Sequence, residues 1–224
     1  MNNRPHPYTP PHNDGLDIIY QDDDILVLNK PAGLLAVPGR GADKQDCLSS
    51  RVQSEYPEAL IIHRLDMDTS GLMLMARNAA MQAKLGLLFE HRQIDKRYIA
   101  IVAGKLEQQH GEIKLPLITD WPNRPKQKVD HETGKPSLTF YKVLAHNAAN
   151  QTSRVELTPQ TGRSHQLRVH MQAIGHPILG DNLYASDEIW QKSDRLLLHA
   201  ERLIFCHPAT GEQLKIENRA IFNV

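Results

Sequence analysis

Cysteine is nearly absent: Cys47 and Cys206 are the only two among 224 residues. Two distant thiols cannot build a disulfide scaffold and fit no zinc spacing, and such usage suits a reducing compartment. Long apolar runs are missing as well. No stretch approaches the roughly 20 residues of a membrane-spanning helix, and the opening MNNRPHPYTPPHNDG has no apolar segment for a signal peptide. Neither sign of charge dominates, with 26 Lys and Arg against 26 Asp and Glu. That balance excludes a histone-like polycation while leaving room for a local basic face. No glycine-rich phosphate loop, zinc pattern or Ser/His/Asp signature occurs. The expectation is a cytoplasmic protein without a membrane partner.

What is present can form a core: 40% of residues are hydrophobic and 23% charged. At roughly 150 residues per domain the length suits one large domain. Residues 1–15 hold four prolines and little to bury, so they read as an extended N-terminal arm. Residues 16–224 then form a single domain. Apolar runs at 16–20 and 25–29 are split by the acidic turn 21–24. Residues 46–55 suit a helix capped by Asp46. Asn78 can cap a second helix with Met81, Leu85, Leu88 and Phe89 on one face, and Ser164 a third, ending at Gly175. Further strands are expected at 60–62, 72–76, 98–102, 113–117, 138–144, 155–157 and 196–206. Pro208 to Gly211 signal a hairpin leading to 213–216. About eight to ten strands and three helices, without regular β-α-β alternation, predict an α+β fold with a largely antiparallel sheet.

Several residues could carry chemistry. Asp66 lies in a polar loop between two strands, flanked by Arg64 and Asp68, where rigid scaffolds present catalytic groups. The same loop also reads as an Asx-type turn capping backbone N–H groups. Arg163 stands just before a helix start, suited to a phosphate or a carboxylate, or simply exposed. His165 and His170 are five apart and share no helical face, which argues against a metal pair. Residues 77–128 hold ten Lys or Arg against five Asp or Glu. Within them Trp121, Arg124, Lys126 and Lys128 suit an extended loop laid on a phosphate backbone, with one aromatic to stack; a solvated loop is the alternative.

Four blocks occur in a telling order. They are Asn29-Lys30-Pro31-Ala32-Gly33-Leu34; His63-Arg64-Leu65-Asp66 with Thr69-Ser70-Gly71; Lys96-Arg97-Tyr98; and Gly162-Arg163-Ser164-His165-Gln166-Leu167-Arg168-Val169-His170, running on to Gly175-His176-Pro177-Ile178-Leu179-Gly180-Asp181. Together they resemble the pseudouridine synthases of the ribosomal large subunit type over nearly all of residues 16–217. Two departures stand out. Residues 1–15 leave no room for the S4-like domain of many relatives, and position 67 is Met where many carry Arg.

The resemblance implies a pseudouridine synthase fold, with flanking helices and a central active-site cleft. It implies isomerisation of uridines in 23S rRNA and in the tRNA anticodon stem-loop, by base flipping and without cofactor or metal. Asp66 would be the catalytic carboxylate, as nucleophile or base. Arg163 would pair with it, Tyr98 would stack on uracil and accept the C5 proton, and Arg64 would fill the gap left by the flipped base. His165 and Arg168 would add RNA contacts beside Trp121, Arg124, Lys126 and Lys128. A monomer with no protein partner is expected. Two rivals remain: a non-catalytic RNA-binding protein on the same scaffold, and a metal-dependent nuclease using Asp66, Asp68 and nearby histidines.

Overall fold

A computed structural model describes residues 8–223. In chain order the first elements are β1 (Ile18–Gln21), β2 (Ile25–Lys30), α1 (Leu48–Glu55), β3 (Leu60–Ile61), β4 (Ser70–Ala76) and α2 (Ala79–Glu90). Next come β5 (Asp95–Ala103), β6 (His110–Ile113), β7 (Leu117–Thr119), β8 (Gln127–Val129), β9 (Thr139–Asn147) and β10 (Thr152–Pro159). The last are α3 (Gln166–Ala173), α4 (Asp187–Trp190), β11 (Leu198–Cys206) and β12 (Gln213–Glu217). The described residues form two compact units, one of 8–96 with 199–220 and the other of 97–198 with 221–223. The fold is mixed α+β, and among the described strand pairs within each unit only β4 with β11 is parallel.

In the first unit the strands run β1-β2-β4-β11, with β3 beside β4 and β12 beside β11. The acidic turn works through Asp22, whose Oδ1 accepts the Asp24 and Ile25 N–H groups, each at 2.8 Å. β4 is buried along its whole length and has neighbours on both edges, which explains its unbroken apolar run. Its Leu72, Leu74 and Ala76 pack with Ile25, Val27, Leu203 and Phe205, and α2 adds Met81 and Leu85. Asn78 caps α2 as its position predicts, Oδ1 accepting the Met81 N–H at 2.8 Å. α1 departs from expectation. It starts at Leu48, and Cys47 and Ser50 form a reciprocal capping box. Asp46 is drawn off by Arg51, whose Nε and Nη2 bond its carboxylate at 2.7 and 2.8 Å.

Residues 8–15 adopt neither helix nor strand, yet they are tied down. Tyr8 donates to the Asp46 carbonyl at 2.8 Å and accepts from the Leu35 N–H at 3.1 Å. Arg51 Nη2 donates to the Pro11 carbonyl at 2.7 Å. The remainder of the expected arm, residues 1–7, lies outside the described residues.

The second unit runs β5-β10-β9-β6, all antiparallel, with β7 and β8 as a separate hairpin. Its core joins Ala100, Val102, Val155 and Leu157 from the strands to Leu167 and Met171 of α3. The strand expected at 113–117 is two, β6 and β7. Pro116 falls in the break and brings no N–H to a ladder. The stretch 121–128, expected as an extended loop, is a short 3-10 turn at Trp121–Asn123 followed by β8. Ser164 does not cap α3. His165 occupies the cap position in a left-handed conformation, φ 53°, without a side-chain cap. α4 has no counterpart among the expected helices; it is four residues long, capped by Ser186. In all there are twelve strands and four α-helices among the described residues.

Candidate active site

Asp66 lies in the loop joining β3 to β4, and three separate devices fix that loop. The first is Lys30. Fully buried at the end of β2, its ammonium donates to the carbonyls of Pro31 (2.8 Å), Leu34 (2.6 Å) and Met67 (2.8 Å). The Met67 carbonyl also accepts the Gly33 N–H at 3.0 Å, where Gly33 takes φ 80°. A side chain would be strained at that φ. The Lys30-to-Gly33 block therefore acts as a clamp on the residue next to Asp66. Asp66 itself closes a turn, its carbonyl accepting the Thr69 N–H at 3.1 Å.

The second device is a relay beyond the loop. His199 Nε2 lies 2.9 Å from the Asn218 carbonyl, which can only accept, so that nitrogen carries the proton. Nδ1 then accepts from the Ser70 hydroxyl at 2.8 Å. Gly71 follows, at φ 111°, and a Cβ there would stand 2.3 Å from the Ala200 carbonyl oxygen. Only glycine lets β4 and β11 meet at this point.

The third is His63. Its Nε2 accepts the Leu74 N–H at 3.0 Å and its ring stacks on Phe89 with centroids 4.6 Å apart. Burial, aided by the Lys96 charge, pushes its pKa down to about 3, so the ring is neutral. His63 is thus a structural member of its block. At the surface of this loop Arg64 is exposed, and Asp66 and Asp68 are half-buried.

Tyr98 and Arg163 belong to the second unit. Tyr98 lies on β5 opposite Leu157 of β10, half-buried against the core. Arg163 is exposed, Nε 3.4 Å from the Pro136 carbonyl. Its turn is set by Gln166, whose Oε1 accepts from the Thr161 hydroxyl at 2.7 Å and the Arg163 N–H at 3.1 Å. The Gln166 amide nitrogen donates to the Leu138 carbonyl at 3.0 Å. Reasoning from sequence missed Gln166; its only signal was its place in the fourth block.

That block splits by direction. Arg163 and Ser164 face solvent, whereas Gln166, Arg168 and His170 are buried. Arg168, expected on RNA, is 2% exposed and grips Asp181 through two bonds of 2.8 and 2.7 Å. The structure corrects that expectation: a guanidinium sealed against a buried carboxylate is an internal brace. His170 is equally internal, Nε2 donating to the Leu115 carbonyl at 3.0 Å, and burial lowers its pKa.

The β7–β8 hairpin carries Trp121, Arg124, Lys126 and Lys128. Trp121 is 66% exposed, with the Arg124 guanidinium 4.6 Å from its ring centre. Exposed Lys128 lies 3.4 Å from half-buried Asp130, a surface pair of little energetic weight. The hairpin is joined to His165 through Tyr184, whose hydroxyl accepts the Gln127 N–H at 2.8 Å and stands 2.7 Å from His165 Nδ1. So the structure links the hairpin to the Arg163 turn within one unit. Asp66 and Arg64 belong to the other unit. Among the described residues, no three His, Cys, Asp or Glu side chains gather as a metal site. None of the described helices is long and apolar enough to cross a membrane.

Comparison with known proteins gives these features a family. Residues 24–173 match the family model for RNA pseudouridylate synthase. The dual-specificity RNA pseudouridine synthase RluA of Escherichia coli (strain K12) is 52% identical over 215 residues, covering 96% of this chain and 98% of that protein. The protein of the same name from Vibrio parahaemolyticus is 53% identical over 204 residues, covering 90% and 82%. Among solved structures, human RNA pseudouridylate synthase domain containing 1 superposes with TM-score 0.78 at 30% identity, covering 94% of this chain and 86% of that one. Human RNA pseudouridylate synthase domain containing 4 gives 0.73 at 27% identity, over 91% and 88%. The resemblance in the four blocks is thus the family itself: this chain belongs to the RNA pseudouridylate synthases and is an RNA-modifying isomerase.

Proposed function

We propose that this isomerase converts specific uridines to pseudouridine in two RNAs, a 23S rRNA loop and the tRNA anticodon stem-loop. The observation that carries the reading is 52% identity over 96% of the chain to a synthase named for dual specificity. The reaction breaks the N1–C1′ bond of uridine, turns the uracil, and joins C5 to C1′. The C5 proton is lost and N1 regains one, so atoms balance without any co-reactant. Loops and stem-loop ends suit it, because the target base must leave its stack at a cost of a few kcal/mol.

Asp66 is the carboxylate of the reaction, acting on the sugar as nucleophile or base while positive charge develops there. Arg163 supplies positive charge for the reaction. Tyr98 supplies a flat face for uracil and a hydroxyl for the C5 proton. Arg64 fills the place of the flipped base, and the hairpin with Trp121, Arg124, Lys126 and Lys128 reads phosphate charge beside one stacked base. His165 adds a polar contact at the Arg163 turn. The enzyme works as a cytoplasmic monomer in a single domain of residues 16–224, without metal or cofactor.

The test compares carbodiimide-adduct primer extension on rRNA and tRNA from a deletion strain complemented with wild-type enzyme or with Asp66→Asn. The wild type restores signals in both RNAs, and Asp66→Asn binds RNA but restores neither. Restoration in one RNA alone removes the dual specificity; restoration by Asp66→Asn removes Asp66 from the mechanism.

A further inference from the structure

One hydroxyl in the second unit joins two segments far apart in sequence. Tyr184 Oη accepts the backbone N–H of Gln127, the first residue of β8, and lies 2.7 Å from His165 Nδ1. The two rings meet edge to face, with centroids 5.6 Å apart at 83°. Tyr184 is itself held from beneath. Its own N–H donates to Asp181 Oδ1 at 3.0 Å, and the Arg168 guanidinium lies 5.2 Å from its ring centre. The buried Arg168–Asp181 brace is therefore the footing of Tyr184.

His165 is where such a tether matters. It is a non-glycine residue at φ 53° with no side-chain cap, a conformation that persists only when its surroundings enforce it. Two residues earlier stands Arg163. The hydroxyl holds the ring of the strained residue, and the Gln127 bond fixes that same hydroxyl to the hairpin of Trp121 and Arg124.

We propose that Tyr184 is a positioning residue for the isomerisation. Its hydroxyl sets the turn that presents Arg163 and couples it to the hairpin, so that RNA seated on the hairpin holds the turn in its working geometry. The coupling rests on the reading of the hairpin as an RNA contact.

Tyr184→Phe removes one oxygen and keeps the ring over Arg168. It should retain the wild-type melting temperature within a few degrees, while amide exchange at Gln127 quickens. Single-turnover pseudouridine formation at saturating stem-loop RNA should fall about tenfold, about 1.4 kcal/mol of barrier, with RNA affinity changed less than threefold. Trp121→Ala should weaken affinity and also slow the saturated rate in the wild-type background. In the Tyr184→Phe background it should weaken affinity without further slowing, since the link is already cut. A wild-type saturated rate in Tyr184→Phe overturns the positioning role, and strictly multiplicative rate losses overturn the coupling. If Trp121→Ala leaves affinity untouched, the RNA reading of the hairpin falls, and the saturated rate of Tyr184→Phe alone still decides whether Tyr184 positions the turn. If Tyr184→Phe melts far lower, His165→Asn supplies the second measurement. Asparagine tolerates the left-handed backbone but is too short to bring a side-chain nitrogen to the Tyr184 hydroxyl; a saturated rate about tenfold below wild type is expected, and an unchanged saturated rate overturns the positioning role.

Discussion

Lys30 Nζ lies 2.8 Å from the carbonyl oxygen of Met67, the residue directly after Asp66. A buried ammonium on three carbonyls replaces its lost hydration by fixed dipoles, and in doing so it pins the loop. Precision at the carboxylate is thus secured from inside the protein.

Lys30→Met is expected to remove the clamp while keeping most of the volume. The Met67 carbonyl keeps the Gly33 N–H, but those of Pro31 and Leu34 lose the ammonium, at about 1–3 kcal/mol for each group left unsatisfied, so stability should drop by about 3 kcal/mol in urea denaturation. Turnover should fall more steeply than RNA affinity, because the loop loosens around Asp66. A variant as stable and active as wild type would show the clamp to be dispensable.

His63 makes stability pH-dependent in a defined window. Its folded pKa is about 3 against an ordinary 6.5, so the unfolded chain binds the extra proton first as pH falls. The stabilisation is complete above about 6.5, shrinks as pH drops below it, and is exhausted near 3. His63→Gln keeps an acceptor for the Leu74 N–H and does not titrate. Its unfolding free energy should therefore change less between pH 7 and pH 4 than that of the wild type, measured by denaturant titration at each pH. Equal slopes would clear His63 of the effect.

Tyr98→Phe is expected to bind RNA normally and to turn over about a hundredfold more slowly, the scale of one general-base contribution. Stacking needs only the ring; proton removal needs the hydroxyl. Quench-flow on a saturated stem-loop measures it, and an unchanged rate would reduce Tyr98 to a platform.

Replacing Arg124, Lys126 and Lys128 together by Ala should weaken binding to both RNAs alike. The slope of log affinity against log salt should flatten by about one for each phosphate that is no longer neutralised. A salt titration of stem-loop binding decides it, and an unchanged slope would place the RNA face elsewhere.

Much of this was legible in the sequence because local rules governed it. The turn at Asp22, the Asn78 cap and the hairpin from β11 to β12 each depend on neighbours within a few residues. The failures were long-range or competitive. Asp46 looked like a helix cap, but Arg51 offered a charged partner and Cys47 took the cap. Ser164 met the cap rule, yet the helix starts one residue later, with left-handed His165 at the cap position. Arg168 looked like a surface cation because its partner, Asp181, is 13 residues away in sequence. At the candidate site the motifs located Asp66, but what fixes its loop, Lys30 and His199, shows only in three dimensions.

The relay from Ser70 through His199 to Asn218 has a consequence for synthesis. Ser70 and His199 are 129 residues apart in the chain. During translation, the loop bearing residue 66 must wait for residues 199–218 before it can take its final shape. A partly made chain thus holds Asp66 on an unset loop until that late segment has joined it.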